Sequence, residues 1–395
     1  MPSSRAFRAA AAAAVAVLAV LPASALEDVT ARVTQTSAVA ATASRGCGAC
    51  HSQELSLWIN HPHSRFLVDP VRDSRGVLAR WGKGVPGWKL YVKGAFGRGD
   101  VTRAFGVLQI QVLFRRDRDG HRLLPAQWNI RRKRWEPLSD ALEQVRRERR
   151  TWEASCAGCH TTGFDPGTGA FEEPNVACRA CHGDGTAHAQ SGGRKPVLRP
   201  SSLTPERRSE ICGSCHSRGT DRRTGRPYPV GFTPGDSLER VFELEAPVLG
   251  RTTAFFWPDG TERLAYMEYQ GFRQSRHFEE GLSCTTCHLA HGSDYPFNLR
   301  RRTVDLCETC HRDASALTPV HRGHPAGKAT CVDCHMAMTN LAPREAHAHT
   351  HTFRFLEPSA AAVRAGRPDS CTVECHRDRD PRWASGAVRA WREKR

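Results

Sequence analysis

The chain has 395 residues, with 57 Lys and Arg against 41 Asp and Glu, a formal charge of +16, and a hydrophobic share of only 39 %. Past the first 25 residues no stretch is apolar enough to span a bilayer. The basic excess is a poor argument for nucleic acid, because the 16 cysteines imply a cofactor that brings acid groups of its own.

Residues 1–25 read as a secretory signal peptide. Arg5 and Arg8 form its positive region, residues 9–21 an apolar run too short to span a bilayer comfortably, and Ala23-Ser24-Ala25 a small-x-small cleavage site. The rival reading is an uncleaved membrane anchor. Export, periplasmic or beyond, suits a chain this rich in cysteine. Segment 26–64 then carries Cys47-Gly-Ala-Cys50-His51, the C-x-x-C-H signature of c-type haem attachment. Two thiols three apart can each form a thioether to one porphyrin edge, and the next residue is placed to bind the iron. Zinc sites do not require a histidine directly after the second cysteine. Residues 53–60 read as a short helix packed on this haem. In His61-Pro62-His63 the proline puts both imidazoles on a turn, and one of them is expected as an axial ligand.

Segment 65–150 lacks the motif and reads as a β-rich insertion over residues 65–135, with period-two runs at 89–92 and 107–114. Asp117-Arg118-Asp119-Gly120 predicts a hairpin, with His121 exposed beside it. Residues 139–152 read as one helix capped by Ser139. The basic run 115–150 is either a solvated or propionate-binding face or a docking patch for an acidic redox partner.

Segment 151–220 holds three motifs, Cys156/Cys159/His160, Cys178/Cys181/His182 and Cys212/Cys215/His216. Gly183 and Gly185 allow a tight loop that returns His188 towards a haem. Segment 221–276 is a motif-free connection, with a short strand expected over 252–257 and a helix over 269–280 that presents His277.

Segment 277–395 adds Cys284/Cys287/His288, Cys307/Cys310/His311, Cys331/Cys334/His335 and the longer Cys371-Thr-Val-Glu-Cys375-His376. Eight motifs thus account for all 16 cysteines and imply eight covalent haems. His291 lies three residues after His288, too close to bind the opposite face of the same iron, so as a ligand it must serve a neighbouring haem; Met336 is excluded from the iron of His335 likewise. His347, His349 and His351 share one side if extended. Residues 377–395 form a basic tail. About 46 residues per haem is too little to wrap each cofactor separately, so the expected fold is mainly α and irregular, low in regular structure, with the haem stack as core. Removing Arg5 and Arg8 and adding sixteen propionates and eight ferric centres brings the oxidised holoprotein to about +6.

Certain elements, in order, resemble the octahaem c-type cytochromes with a cytochrome c-554-like domain, of the kind often fused to tetratricopeptide repeats. They are Trp58 and His63 after the first motif; Trp152 before Cys156-Ala-Gly-Cys159-His160-Thr-Thr-Gly; Cys178-Arg-Ala-Cys181-His182-Gly-Asp-Gly with His188; Gln274-Ser-Arg-His277 before Cys284-Thr-Thr-Cys287-His288-Leu-Ala-His291; His324-Pro-Ala-Gly before Cys331-Val-Asp-Cys334-His335-Met336; and His351-Thr-Phe-Arg. The resemblance implies distal-ligand roles for His63, His188, His291 and His351, and electron transfer, with related folds acting on small nitrogen and sulfur compounds. The chain differs at His277, where methionine is expected, and has no tetratricopeptide repeat.

Of 19 histidines, eight are proximal, and seven others are placed as distal ligands: His63, His188, His277, His291, His321, His324 and His351. An eighth could come from His61, His121, His347 or His349. The expected function is electron transfer along close, mostly bis-histidine haems, with an overwhelmingly low-spin oxidised protein and redox partners that are acidic proteins or membrane-bound quinol-oxidising cytochromes. The alternatives are an oxidoreductase with one five-coordinate haem acting on nitrite, hydroxylamine or a tetrathionate-type sulfur compound, though no C-x-x-C-K motif is present, and a subunit of a conductive filament.

Overall fold

The computed structural model describes residues 42–312, 324, 329–338 and 348–393. Residues 1–25, expected as a signal peptide, and His321 and His347 lie outside the described residues. Helices are short, the longest described having 13 residues, and long irregular connections join them. None is long and apolar enough to cross a membrane.

Helices α1 (Thr42–Gly48) and α2 (Ser52–Ile59) flank the first motif, and Pro62–Ser64 forms a single 3-10 turn after them. The insertion is a five-stranded antiparallel sheet in sequence order: β1 (Leu67–Val68), β2 (Arg103–Phe105), β3 (Ile110–Asp117), β4 (Gly120–Asn129) and β5 (Arg134–Pro137). The expected hairpin is present, with Asp117 opposite Gly120. Strand alternation sends Leu113, Leu124, Ala126, Trp128 and Trp135 to one face, where they pack on Val92, Phe96 and Val101. Trp128 and Trp135 are cross-strand partners with centroids 5.5 Å apart in edge-on geometry. The other face sends Val112, Phe114 and Leu123 against Trp152 and Ala157, so the sheet is the wall behind the His160 motif.

The structure corrects five expectations. Residues 89–92 are not extended: α3 (Trp88–Tyr91) starts from Gly87 at φ 77°, where a Cβ would strike the Trp135 carbonyl. Four alternating residues are too few to distinguish strand from helix. The helix expected over 139–152 stops early. α4 (Asp140–Arg147) is capped by Ser139; Arg149 turns left-handed at φ 55°, and Thr151 caps a separate α5 (Trp152–Ser155). Residues 252–257 form no strand, only an isolated Phe256–Glu262 bridge; the pairing in this region is Gly219–Asp221 with Phe242–Leu244. The helix over 269–280 breaks into α6 (Glu268–Arg273) and α7 (Arg276–Glu279), because the Ser275 hydroxyl accepts the Phe278 N–H and caps anew. The basic tail contains a helix, α8 (Pro381–Glu393).

His121 is the fifth correction. It is buried, not exposed, because Glu153 on α5 takes both its ring Nδ1 (2.7 Å) and its backbone N–H (3.0 Å), with Arg103 at 3.6 Å. Burial alone would raise the Glu153 carboxyl, but the bonds from His121 outweigh it and hold it down at about 2. The folded value lies below the ordinary 4.5, so this contribution is complete above about pH 4.5 and lost as pH falls towards 2. Glu153→Gln is therefore expected to cost about 1 kcal/mol at pH 7, discounted for partial solvent access, and to flatten that acid limb in thermal melts.

Candidate functional site

Each motif is folded for the same task. The histidine N–H returns to the carbonyl of the first cysteine: His51 to Cys47 (3.0 Å), His160 to Cys156 (3.2 Å), His182 to Cys178 (3.0 Å), His216 to Cys212 (2.8 Å), His288 to Cys284 (3.0 Å) and His311 to Cys307 (2.9 Å). The longer motif closes the same way, His376 to Cys371 at 3.0 Å, so its extra residue is absorbed in a wider turn. None of the 16 cysteines is fully buried.

Six of these histidines meet a second imidazole across a nearly constant gap. Ring centroids are 6.3 Å apart for His51 and His188, 6.1 Å for His216 and His63, 6.0 Å for His182 and His291, 6.4 Å for His288 and His351, 5.9 Å for His311 and His277, and 6.2 Å for His376 and His324. An iron held at about 2 Å by two opposed imidazoles sets their centroids about 6 Å apart. The spacing therefore fits bis-histidine haem, although no pair is in hydrogen-bonding contact. His277, in the place where methionine was expected, faces His311, and His291 faces His182 instead of His288. His321, another candidate distal ligand, lies outside the described residues.

Outer partners orient several rings. The Nδ1 atoms of His182, His188, His288 and His351 lie on the carbonyls of Leu198 (3.0 Å), Lys195 (2.7 Å), Phe297 (3.0 Å) and His349 (3.0 Å). Each then donates from Nδ1 and leaves Nε2 for a metal. His216 instead meets the Glu268 carboxylate at 3.1 Å. Burial would lower this imidazole, but Glu268 outweighs it and holds it up at about 9. On α8, Trp383 and Trp391 pack on His376 (4.8 Å) and His324 (5.2 Å), which explains the tryptophans of the tail.

Thiols of different motifs also meet. Cys47 lies beside Cys178, Cys159 beside Cys215, Cys212 beside Cys284, and Cys307 beside Cys331. Cys181 lies within electrostatic reach of Cys215, Cys287 of Cys310, and Cys334 of Cys375. In motif order the contacts run 1–3–4–5–6–7–8, with 2 branching from 4. One continuous cavity of about 4560 Å³, lined by cysteines of motifs two to seven, joins them. That is more than four times the roughly 1,000 Å³ upper end of ordinary ligand pockets. Arg65 is buried on its wall with Nε and Nη1 unbonded, as a site for an acidic cofactor edge requires.

His160 is different. Its ring neighbours are Phe105 (4.3 Å), Phe66 (5.1 Å) and Trp152 (5.9 Å), and among the described residues no second imidazole faces it. Three of the reserve histidines have Nδ1 engaged, His121 with Glu153, His349 with the Met336 carbonyl (2.5 Å) and His61 with the His63 N–H (2.9 Å), and none of the three makes a ring contact with His160. His347 lies outside the described residues. Sequence reasoning missed Glu153, Glu268 and Arg65, none of which lies within a motif.

Comparison with known proteins gives two family matches and two similar folds. The family described as cytochrome c554 and c-prime matches residues 126–183, and the doubled CXXCH motif matches residues 277–316. No curated protein matches. The fold is similar to the outer cell wall cytochrome OcwA, with TM-score 0.72 and 20 % identity over 89 % of this chain and 86 % of that one. It is also similar to the undecahaem cytochrome from the S-layer of Carboxydothermus ferrireducens, with TM-score 0.52 and 18 % identity over 89 % of this chain and 59 % of that one. This is a multihaem cytochrome fold, and its C-x-x-C-H motifs are attachment sites for c-type haem.

Proposed function

We propose that this chain is an exported octahaem cytochrome that carries electrons between redox partners. The carrying observation is the set of six imidazole pairs at 5.9–6.4 Å, each joining a motif histidine to a residue outside its own motif. Bound haem supplies the one-electron couple. The chain fixes both axial ligands, keeps six-coordinate centres closed to small ligands, and holds consecutive attachment sites in contact. The thiol contacts support an unbroken route through seven centres, with the His160 motif as a side branch.

Export is proposed from the signal-like residues 1–25 and from the settings in the titles of the two similar structures, a cell wall and an S-layer. Exposed Arg115, Arg116 and Arg118 beside the β3–β4 turn, and Arg131 and Lys133 at the cavity rim, suit an acidic partner protein. Mass spectrometry of the exported protein is expected to give eight covalent haems. Seven would mean that the Cys371/Cys375 motif goes unused; four or fewer would end this reading.

One observation favours a second reading, in which the branch centre is an open site for a small nitrogen or sulfur compound. His160 has aromatic neighbours where six other motif histidines have an imidazole, and Arg218 lies within electrostatic reach of it. The two readings separate on turnover: an open branch haem that binds a ligand and consumes nothing is a side arm of the wire, whereas a catalyst turns its substrate over.

A further inference from the structure

Motif four is the junction of the thiol contacts: Cys215 meets Cys159 of motif two, and Cys212 meets Cys284 of motif five with Cys181 of motif three nearby. Its histidine, His216, sits on a carboxylate where four other imidazoles of the set sit on peptide carbonyls. This placement is built into the fold. Glu268 opens α6, and the next residue, Tyr269, donates its N–H to the His216 carbonyl at 3.0 Å. Gln270 clamps the backbone of Arg218 from both sides, accepting its N–H (2.8 Å) and donating to its carbonyl (3.0 Å). The Tyr266 N–H holds the second carboxylate oxygen at 3.2 Å. Three contacts thus fix helix and motif together, the Tyr266 N–H steadies the carboxylate, and the Glu268 side chain has one place to go.

A carboxylate on Nδ1 makes the imidazole a stronger electron donor to iron than a peptide carbonyl does. It therefore stabilises the ferric state over the ferrous one. A negative charge beside the centre, on a side chain only 24 % exposed, acts in the same direction. We propose that Glu268 is a positioning and potential-setting residue for the junction haem, making it harder to reduce than its neighbours on either side. An electron entering from the His160 branch or from motifs one and three would then meet an uphill step at the crossing.

The inference rests on the haem attachment and His63–His216 ligation proposed above. Its test is a spectroscopic redox titration of the full holoprotein with a soluble low-potential reductant, wild type against Glu268→Gln. One haem is expected to reduce about tenfold more favourably in the variant, about 59 mV for one electron, while the haem count is unchanged. Glu268→Asp, which keeps the charge, is expected to recover most of the shift; a purely structural role would not be rescued in that way. Superimposable titrations at equal haem content overturn the inference. If Glu268→Gln fails to mature, the wild type decides. Low-temperature spin resonance is expected to resolve one low-spin haem of compressed g anisotropy, and its absence overturns the inference equally. A wild type with too few haems would instead strike at the proposed function.

Discussion

His291→Ala is expected to convert one haem from low spin to high spin, and that haem is the one on His182. The two rings lie 6.0 Å apart and within 18° of parallel, whereas His288, three residues earlier, faces His351 at 6.4 Å. The local backbone explains the divergence. Leu289 donates to the Asn298 carbonyl at 2.7 Å, and Gly292 at φ 125° brings the chain past the Leu57 carbonyl, where a side chain would collide. His288 is thus turned to one side of this loop and His291 to the other. Removing one axial imidazole leaves the His182 iron open. The variant should gain a high-spin signal and bind an added ligand there, while the signal of the His288 haem is unchanged. Loss of the sixth ligand at the His288 haem, or no change anywhere, would refute the pairing.

Cyanide is expected to alter one haem of the wild-type protein, the one on His160. Closed centres must break an iron–histidine bond before they accept a ligand; an open one need not. The apolar wall of Phe66, Phe105 and Trp152 offers no replacement donor, although the Trp152 Nε1 and the His160 Nδ1 are buried without a hydrogen-bond partner. The expected change is large, a complete conversion of that one centre from high to low spin, and spin resonance before and after cyanide measures it. If the centre is closed, no haem responds, and the wire reading stands alone. If nitrite or hydroxylamine is also consumed at a useful rate, Arg131 and Lys133 become the entrance for an anion.

The motifs were fully legible because covalent attachment fixes residue type and spacing together, and the Asp117–Gly120 turn was legible because turn chemistry is local. What failed was short or interrupted periodicity. Residues 89–92 alternate too briefly, and Ser275 caps a new helix inside a run that reads as one. The identity of facing histidines was beyond spacing alone, since His63 meets His216 and His188 meets His51 only once the intervening chain has folded back. The same holds for Glu268, 52 positions from His216. An acid in a first helical turn reads as an ordinary dipole partner, and nothing nearby in sequence marks its second use.

The crossed pairing has a consequence for how the molecule is made. A centre that takes one imidazole from its motif and the other from a distant segment closes a loop in the chain, as a disulfide does. His63 to His216 closes one of about 150 residues, and shorter ones, from His188 back to His51 and from His277 forward to His311, overlap or follow it. Closed loops remove freedom from the unfolded ensemble, so maturation itself pre-shapes the chain before its apolar surfaces meet. Since loops from both sides share motifs three, four and five, no cut between them yields two self-sufficient halves. Synthesis of the first two hundred residues alone would leave His63 and His182 waiting for His216 and His291, and a truncated chain is expected to be cleared by proteases instead of persisting as a smaller cytochrome.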